Sequence, residues 1–93
     1  MIPLITIGIT SYNSENTIVR ALNSALNQSW ANTEIIINDD ASNDSSISIL
    51  KEYEKKYDNI ELILNLSNSG VASSRNKIIS KANGKYVAFF DDD

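Results

Sequence analysis

A chain of 93 residues, 42% hydrophobic and 22% charged, with one Pro and three Gly, has room for one domain at most and is neither collagen-like nor of low complexity. It has no Cys and no His, which excludes disulfides, zinc–thiolate sites, thiol nucleophiles and imidazole bases. Eight basic residues against twelve acidic ones give −4, a balance that argues against nucleic-acid binding.

The first apolar run, Ile2 to Ile9, is broken by Pro3, Thr6 and Gly8. It has no basic segment before it and is far shorter than the roughly 20 residues of a membrane span. A cytoplasmic chain is expected, at the inner face of the membrane if the full-length protein is membrane-associated. Leu4 to Ile9 reads as a strand. Ile18, Leu22, Ala25 and Leu26 then fall at helical spacing, with Asn13 or Ser14 as N-cap. Glu34 to Ile37 is the second strand, and its Ile35-Ile36-Ile37 run suits a strand covered on both faces. Asp44 to Tyr57 has helical period, capped by Asn43 or Asp44, with Glu52 and Lys56 spaced as an i,i+4 pair. Ile60 to Leu64 is a third strand and Val71 to Ala82 a third helix, which Asn83-Gly84 should end as a left-handed C-cap. Tyr86 to Phe90 is the fourth strand. Ser45, Ser46, Ser73 and Ser74 read as solvent-facing helix residues.

Strand–helix alternation with crossovers of this length defines an α/β fold: a Rossmann-like parallel sheet of about four strands with helices on both faces. The last residues, Asp91-Asp92-Asp93, follow a strand directly. The chain is therefore expected to be part of a larger domain, cut after these acids.

Ligands of open parallel sheets bind beyond the carboxyl ends of the strands. Five of the twelve acids lie there in two runs, Asp39-Asp40 and Asp91-Asp92-Asp93; without them, eight bases face seven acids. The acidity is local. Clustered carboxylates repel one another unless a cation or hydrogen-bond donors neutralise them. Oxygen donors without His or Cys select a hard ion, Mg²⁺ or Mn²⁺, of the kind that also binds phosphates. Arg75 is a candidate donor to a phosphate or to one of these carboxylates. Taken singly, each feature has a plainer account: a polar loop, a packing Tyr12, a solvated tail, a surface arginine. Their joint placement on one rim favours a site.

Five segments carry a family resemblance: Ile5 to Asn13 (ITIGITSYN), Ala21 to Gln28 (ALNSALNQ), Glu34 to Ser42 (EIIINDDAS), Asn68 to Asn76 (NSGVASSRN) and Gly84 to Asp93 (GKYVAFFDDD). In this order and spacing they resemble the nucleotide-binding half of family-two glycosyltransferases, inverting nucleotide-sugar transferases of GT-A fold. The resemblance covers essentially the whole chain, residues 1–93. It implies that Thr10, Ser11 and Tyr12 hold the nucleotide, with Tyr12 near the base. Asp40, with Asp39 beside it, would recognise the base, usually uracil, and Arg75 would lie near the base or the phosphates. Asp91-Asp92-Asp93 matches the Asp-x-Asp motif, with Asp93 on the metal that bridges the diphosphate and Asp91 and Asp92 on ribose or metal-bound water, Asp91 being the second candidate metal contact. The donor would be a nucleotide-diphospho-sugar, a UDP-sugar by analogy, and the acceptor of the full enzyme a saccharide or a lipid-linked molecule. Thr10 stands where family members often have Pro, Ala41 where they often have Gly, and Ser74 where Ala is frequent. Ala41 would be awkward if the backbone there needs φ > 0. The catalytic base and the acceptor site are expected downstream of Asp93, so the fragment alone should be inactive.

Two other classes compete. A receiver-like signalling module wants its acid pair after the first strand, which here ends in Thr10-Ser11-Tyr12-Asn13. A ligand-free interaction module would expose an apolar sheet edge around Phe89 and Phe90 and self-associate.

Overall fold

The computed structural model describes residues 2–92. Seven elements alternate: β1 (Ile5–Ser11), α1 (Ile18–Leu26), β2 (Thr33–Asp39), α2 (Ser46–Lys56), β3 (Ile60–Leu64), α3 (Val71–Lys81) and β4 (Tyr86–Phe90). The strands form one parallel sheet in the order β3-β2-β1-β4. This is the α/β architecture expected from the alternation.

The two-residue period of the strands sorts the core. Ile7, Ile9, Ile35 and Ile37 bury one face against Ile18, Ala21, Leu22 and Ala25 of α1 and Leu50 of α2. The alternate positions face α3. Ile36 is buried there, and Gly8 lies so close to Ile78 and Phe89 that a Cβ would fall 2.9 Å and 2.8 Å from their nearest carbons. Ile35, Ile36 and Ile37 are all buried, as a strand covered on both faces requires. No helix among the described residues is long and apolar enough to cross a membrane.

Several boundaries differ from the expectation, each for a local reason. β1 and β2 run on to Ser11 and Asp39, which are register partners, because the ladder stays paired to its end. α1 starts at Ile18 with Thr17 as N-cap. Ahead of it the Ser14 carbonyl accepts from the N–H groups of Thr17 (2.9 Å) and Ile18 (2.8 Å), a turn that delays the helix. α2 begins at Ser46, whose N–H donates to the Asp44 carboxylate (2.8 Å), so Asp44 does serve its first turn. Glu52 and Lys56 form no ion pair among the described residues; the Lys56 ammonium lies 5.4 Å from the Tyr57 ring centroid instead.

α3 ends without a left-handed cap, since Ala82 turns into extended backbone (φ −64°, ψ 132°) and neither Asn83 nor Gly84 has positive φ. Gly84 serves close approach instead. A Cβ there would lie 2.5 Å from the Thr6 nitrogen and 2.6 Å from its Oγ1. The Gly84 N–H donates to Thr6 Oγ1 (3.0 Å), Thr6 Oγ1 donates to Glu34, and the Asn83 N–H also donates to Glu34 (2.6 Å). These contacts tie the α3–β4 turn to the amino ends of β1 and β2. β4 pairs with β1 and is an edge of the sheet among the described residues; Tyr86 and Phe89 are exposed on it and Phe90 is half-buried.

Gly84→Ala should therefore destabilise the fold by about 1–3 kcal/mol, the usual range for overpacking. Urea unfolding of the two proteins measures the difference; equal midpoints would mean that the turn can back away from β1.

Candidate functional site

Parallel pairing sets the carboxyl ends of β2, β1 and β4 side by side, with Ser11 opposite Asp39 and Ile9 opposite Phe90. The loop after β1 is therefore flanked by one acidic run on each side. Thr10, Ser11, Tyr12, Asp40, Val71, Ser74 and Asp92 line one cleft of about 260 Å³. Asp40 and Asp92, distant in sequence, share it. The Tyr12 N–H donates to Asp92 Oδ2 (3.2 Å) and Thr17 Oγ1 donates to the Asp92 carbonyl (2.9 Å), which fixes the chain after β4 against the loop after β1. Tyr12 lines the cleft and is exposed.

The two acids of the first run do different work. Asp39 is fully buried and does not line the cleft. Its carboxyl oxygens accept from Ser11 Oγ (3.1 Å), the Ser42 N–H (2.9 Å) and Ser42 Oγ (2.7 Å). Ser42 Oγ accepts in turn from the Asn13 N–H (2.8 Å), and Asn13 Oδ1 from the Asn43 N–H (2.9 Å). Asp39 thus locks the loops after β1 and β2 together. The chain makes that turn with Ala41 at φ 60° and Asn13 at φ 46°. Asn tolerates this region; Ala is strained in it.

Asp40 reaches the other way. Its Oδ1 accepts from the Ser69 N–H (2.7 Å), Asn65 Nδ2 (2.9 Å) and Ser69 Oγ (3.3 Å), and its Oδ2 from the Gly70 N–H (3.0 Å). Asn68 Nδ2 donates to its carbonyl (2.7 Å). The Asn65 amide first, then the Ser69 and Gly70 N–H groups, hold this carboxyl down to about 2, so near neutrality it is ionised and can accept but not donate. Asp40 thereby also satisfies N–H groups just ahead of α3.

The remaining expected residues scatter. Asp91 lines a separate groove with Arg20, Ala21, Ser24 and Phe90, on the side of α1, because successive residues after a strand point to opposite faces. Arg75 does not line the cleft; its guanidinium carbon stands 5.2 Å from the Phe89 ring centroid, a cation–π arrangement. Asp93 lies outside the described residues. Among those described, no three acidic side chains are grouped to hold a metal.

Composition and motif matching missed the buried polar side chains behind the rim. Ser46 and Ser74 are buried rather than solvent-facing. Ser46 Oγ accepts from the Ser14 N–H (2.8 Å), and Ser74 Oγ accepts from Asn65 Nδ2 (3.3 Å). Asn38 and Asn65 exchange amide hydrogen bonds of 3.2 Å and 3.1 Å. The one available signal was position: Asn38 directly follows the Ile35-Ile36-Ile37 run of a covered strand, where a polar side chain needs a partner.

A parallel α/β sheet with acids and a polar loop gathered at its carboxyl rim defines the class of open α/β domains that carry their ligand sites at that rim. Within that class, residues 6–93 match the family described as Glycosyl transferase family 2, and the chain belongs to it. It is 45% identical over 92 residues to the poly(ribitol-phosphate) beta-glucosyltransferase of Bacillus spizizenii, covering 96% of this chain and 14% of that protein. Among solved structures, S. aureus TarS 1-349 in complex with UDP-GlcNAc is 32% identical with a TM-score of 0.87, covering 96% of this chain and 26% of that one. The mannosyltransferase PcManGT from Pyrobaculum calidifontis shares the fold at a TM-score of 0.90 and 23% identity, covering 98% of this chain and 28% of that one. The chain spans between 14% and 36% of the length of eight curated relatives that it matches.

Two outcomes follow from this geometry. Ala41→Gly should raise the melting temperature by a few degrees, equivalent to about 0.5–1 kcal/mol, because relief of the positive φ exceeds the entropy that Gly adds to the unfolded chain. The Asp40 carboxyl lies below its ordinary 3.8 in the folded chain, so its stabilising contribution is complete above that value and is lost as pH falls toward about 2. Denaturation midpoints should decline across this window, and less steeply in Asp40→Asn. Parallel curves for the two proteins would contradict it.

Proposed function

We propose that this chain supplies the nucleotide-sugar donor site of a glycosyltransferase. One observation carries the reading: Asp40 and Asp92 line a single cleft with Thr10, Ser11 and Tyr12 at the carboxyl rim of a parallel sheet. The relatives support it. TarS was solved with UDP and with UDP-GlcNAc, and PcManGT with GDP-Man and Mn²⁺.

In this reading the ionised Asp40 accepts a hydrogen bond from a base N–H, for which uracil is the best candidate. The exposed Tyr12 ring stacks beside the base, and Thr10 and Ser11 border the ribose. Asp92 lies at the diphosphate end. A hard divalent ion, Mn²⁺ or Mg²⁺, fits the oxygen-only donors of the acidic run after β4 and would neutralise charge on the leaving diphosphate. Asp92 and Asp93 would hold it; Asp91, in its separate groove, is the weaker candidate. Arg75 would have to leave Phe89 to reach a phosphate, so its part is secondary. The attacking hydroxyl of a saccharide or lipid-linked acceptor, and the carboxylate that deprotonates it, belong to a longer protein on this account, as does a cytoplasmic location at the membrane face. Self-association through the β4 edge is a property to test on the isolated chain.

Titration calorimetry with UDP in the presence of Mn²⁺ tests the donor site. Wild type should bind, and Asp92→Ala should weaken binding at least roughly tenfold, the loss expected when a charged ligand is removed. Asp91→Ala should have a smaller effect. A folded wild type that binds no UDP, or equal affinity in Asp92→Ala, would overturn the assignment.

A further inference from the structure

Behind the cleft, one side chain touches both Asp40 and Ser74 of its lining and the loop that follows β3. Asn65, only 9% exposed at the end of β3, has its N–H bonded to the Asp39 carbonyl (2.9 Å). The two hydrogens of its amide are shared among Asp40 Oδ1 (2.9 Å), Asn38 Oδ1 (3.1 Å), Ser69 Oγ (3.1 Å) and Ser74 Oγ (3.3 Å). Its Oδ1 accepts from Lys77 Nζ (2.7 Å) and Asn38 Nδ2 (3.2 Å). The direction of the amide is therefore unambiguous. Lys77 can only donate and ionised Asp40 can only accept, so the oxygen must face the lysine and the nitrogen the aspartate. The amide dipole lies between a cation and an anion, an alignment that strengthens both bonds.

We propose that Asn65 is a positioning residue for nucleotide recognition: its amide, oriented by Lys77 and Asn38, sets the Asp40 carboxylate and the β3–α3 loop in the arrangement that receives the base. This rests on the donor-site reading above. Three donors occupy Asp40 Oδ1 and one occupies Oδ2, so Oδ2 is the oxygen with acceptor capacity to offer a ligand. Asn65 keeps Oδ1 turned toward the loop and so keeps Oδ2 presented. Asn65 itself touches no reacting atom.

The test uses two variants of the whole chain: Asn65→Asp, which has the same shape but offers Asp40 no hydrogen, and Asn65→Leu, which fills the space without polar atoms. Carbon-13 NMR of the carboxyl groups follows Asp40 without any ligand, and its titration midpoint should rise in both variants. With Mn²⁺ present, UDP affinity should fall about 10- to 100-fold, the range for a lost hydrogen bond to a charged group, while affinity for inorganic pyrophosphate stays within about twofold. In an Asp40→Asn background, Asn65→Leu should cause no further loss of UDP affinity. An unchanged Asp40 midpoint in a folded variant, equal losses for UDP and pyrophosphate, or additive losses in the double variant would overturn the proposal. If Asn65→Leu fails to fold, Asn65→Asp alone gives the same decision. A wild type that binds no UDP overturns the donor-site reading and the recognition role with it; the ligand-free Asp40 midpoint separates that failure from an Asn65 that does not hold Asp40.

Discussion

Parallel strands share a direction, and the site depends on that constraint. Every strand of this sheet hands its chain on at the same rim, so whatever follows β1, β2, β3 and β4 is gathered there regardless of sequence distance. β1 lies between β2 and β4. The acids after β2 and the described acids after β4 are therefore separated by the width of one strand, with Thr10 and Ser11 at the end of β1 and the loop beginning at Tyr12 between them. An antiparallel arrangement of the same segments would leave both acidic runs at one end, since both follow even-numbered strands, and would send the loop after β1 to the other.

Bringing carboxylates together has a cost, and the chain meets it with its own donors before any ligand arrives. Asp39 takes the Ser11 hydroxyl at the end of β1 and the hydroxyl and backbone N–H of Ser42 in the loop after β2. Asp40 takes two backbone N–H groups, an amide and a hydroxyl from the loop ahead of α3. Among the described residues, every buried side-chain nitrogen and oxygen has a partner. Such a rim is set before binding, and ordering loops is one of the larger costs of binding. Satisfying acids with loop donors therefore serves stability and preorganisation together.

The sequence made the fold legible because its signals agree. Strand runs, helical periods and turn residues alternate without conflict, and Ile35-Ile36-Ile37 alone marks a strand with two covered faces. The rim was legible from topology plus the two acidic runs. Less visible was the division of labour within each run. Neighbouring residues point to opposite sides, so Asp39 is buried while Asp40 meets the cleft, and Asp92 meets the cleft while Asp91 faces α1. A pattern of letters shows two adjacent acids and leaves their directions open. Serines hid for a related reason: Ser46 and Ser74 sit at helix positions that look polar, yet each is buried by a partner from another segment, Ser14 for one and Asn65 for the other. Partners distant in sequence are invisible until the fold brings them together.

The opposite rim shows why the two ends of the sheet are built differently. At the amino ends of β1 and β2, Glu34 is the acid, and it too is surrounded by donors: Thr6, both nitrogens of Asn83, and through Thr6 the Gly84 N–H. Although burial raises the Glu34 pKa, these hydrogen bonds bring it below its ordinary value. Its donors hold the α3–β4 turn against the sheet, where Gly84 lies directly on β1, while on the β3 side Glu34 borders a groove of about 240 Å³. At the carboxyl rim acids hold the loops at their bases, and a cleft of about 260 Å³ lies among those loops. How much of a strand end stays open depends on how far the next backbone stands off. On β1 that distance is set by a residue without a side chain at one end, and by the loop beginning at Tyr12 at the other.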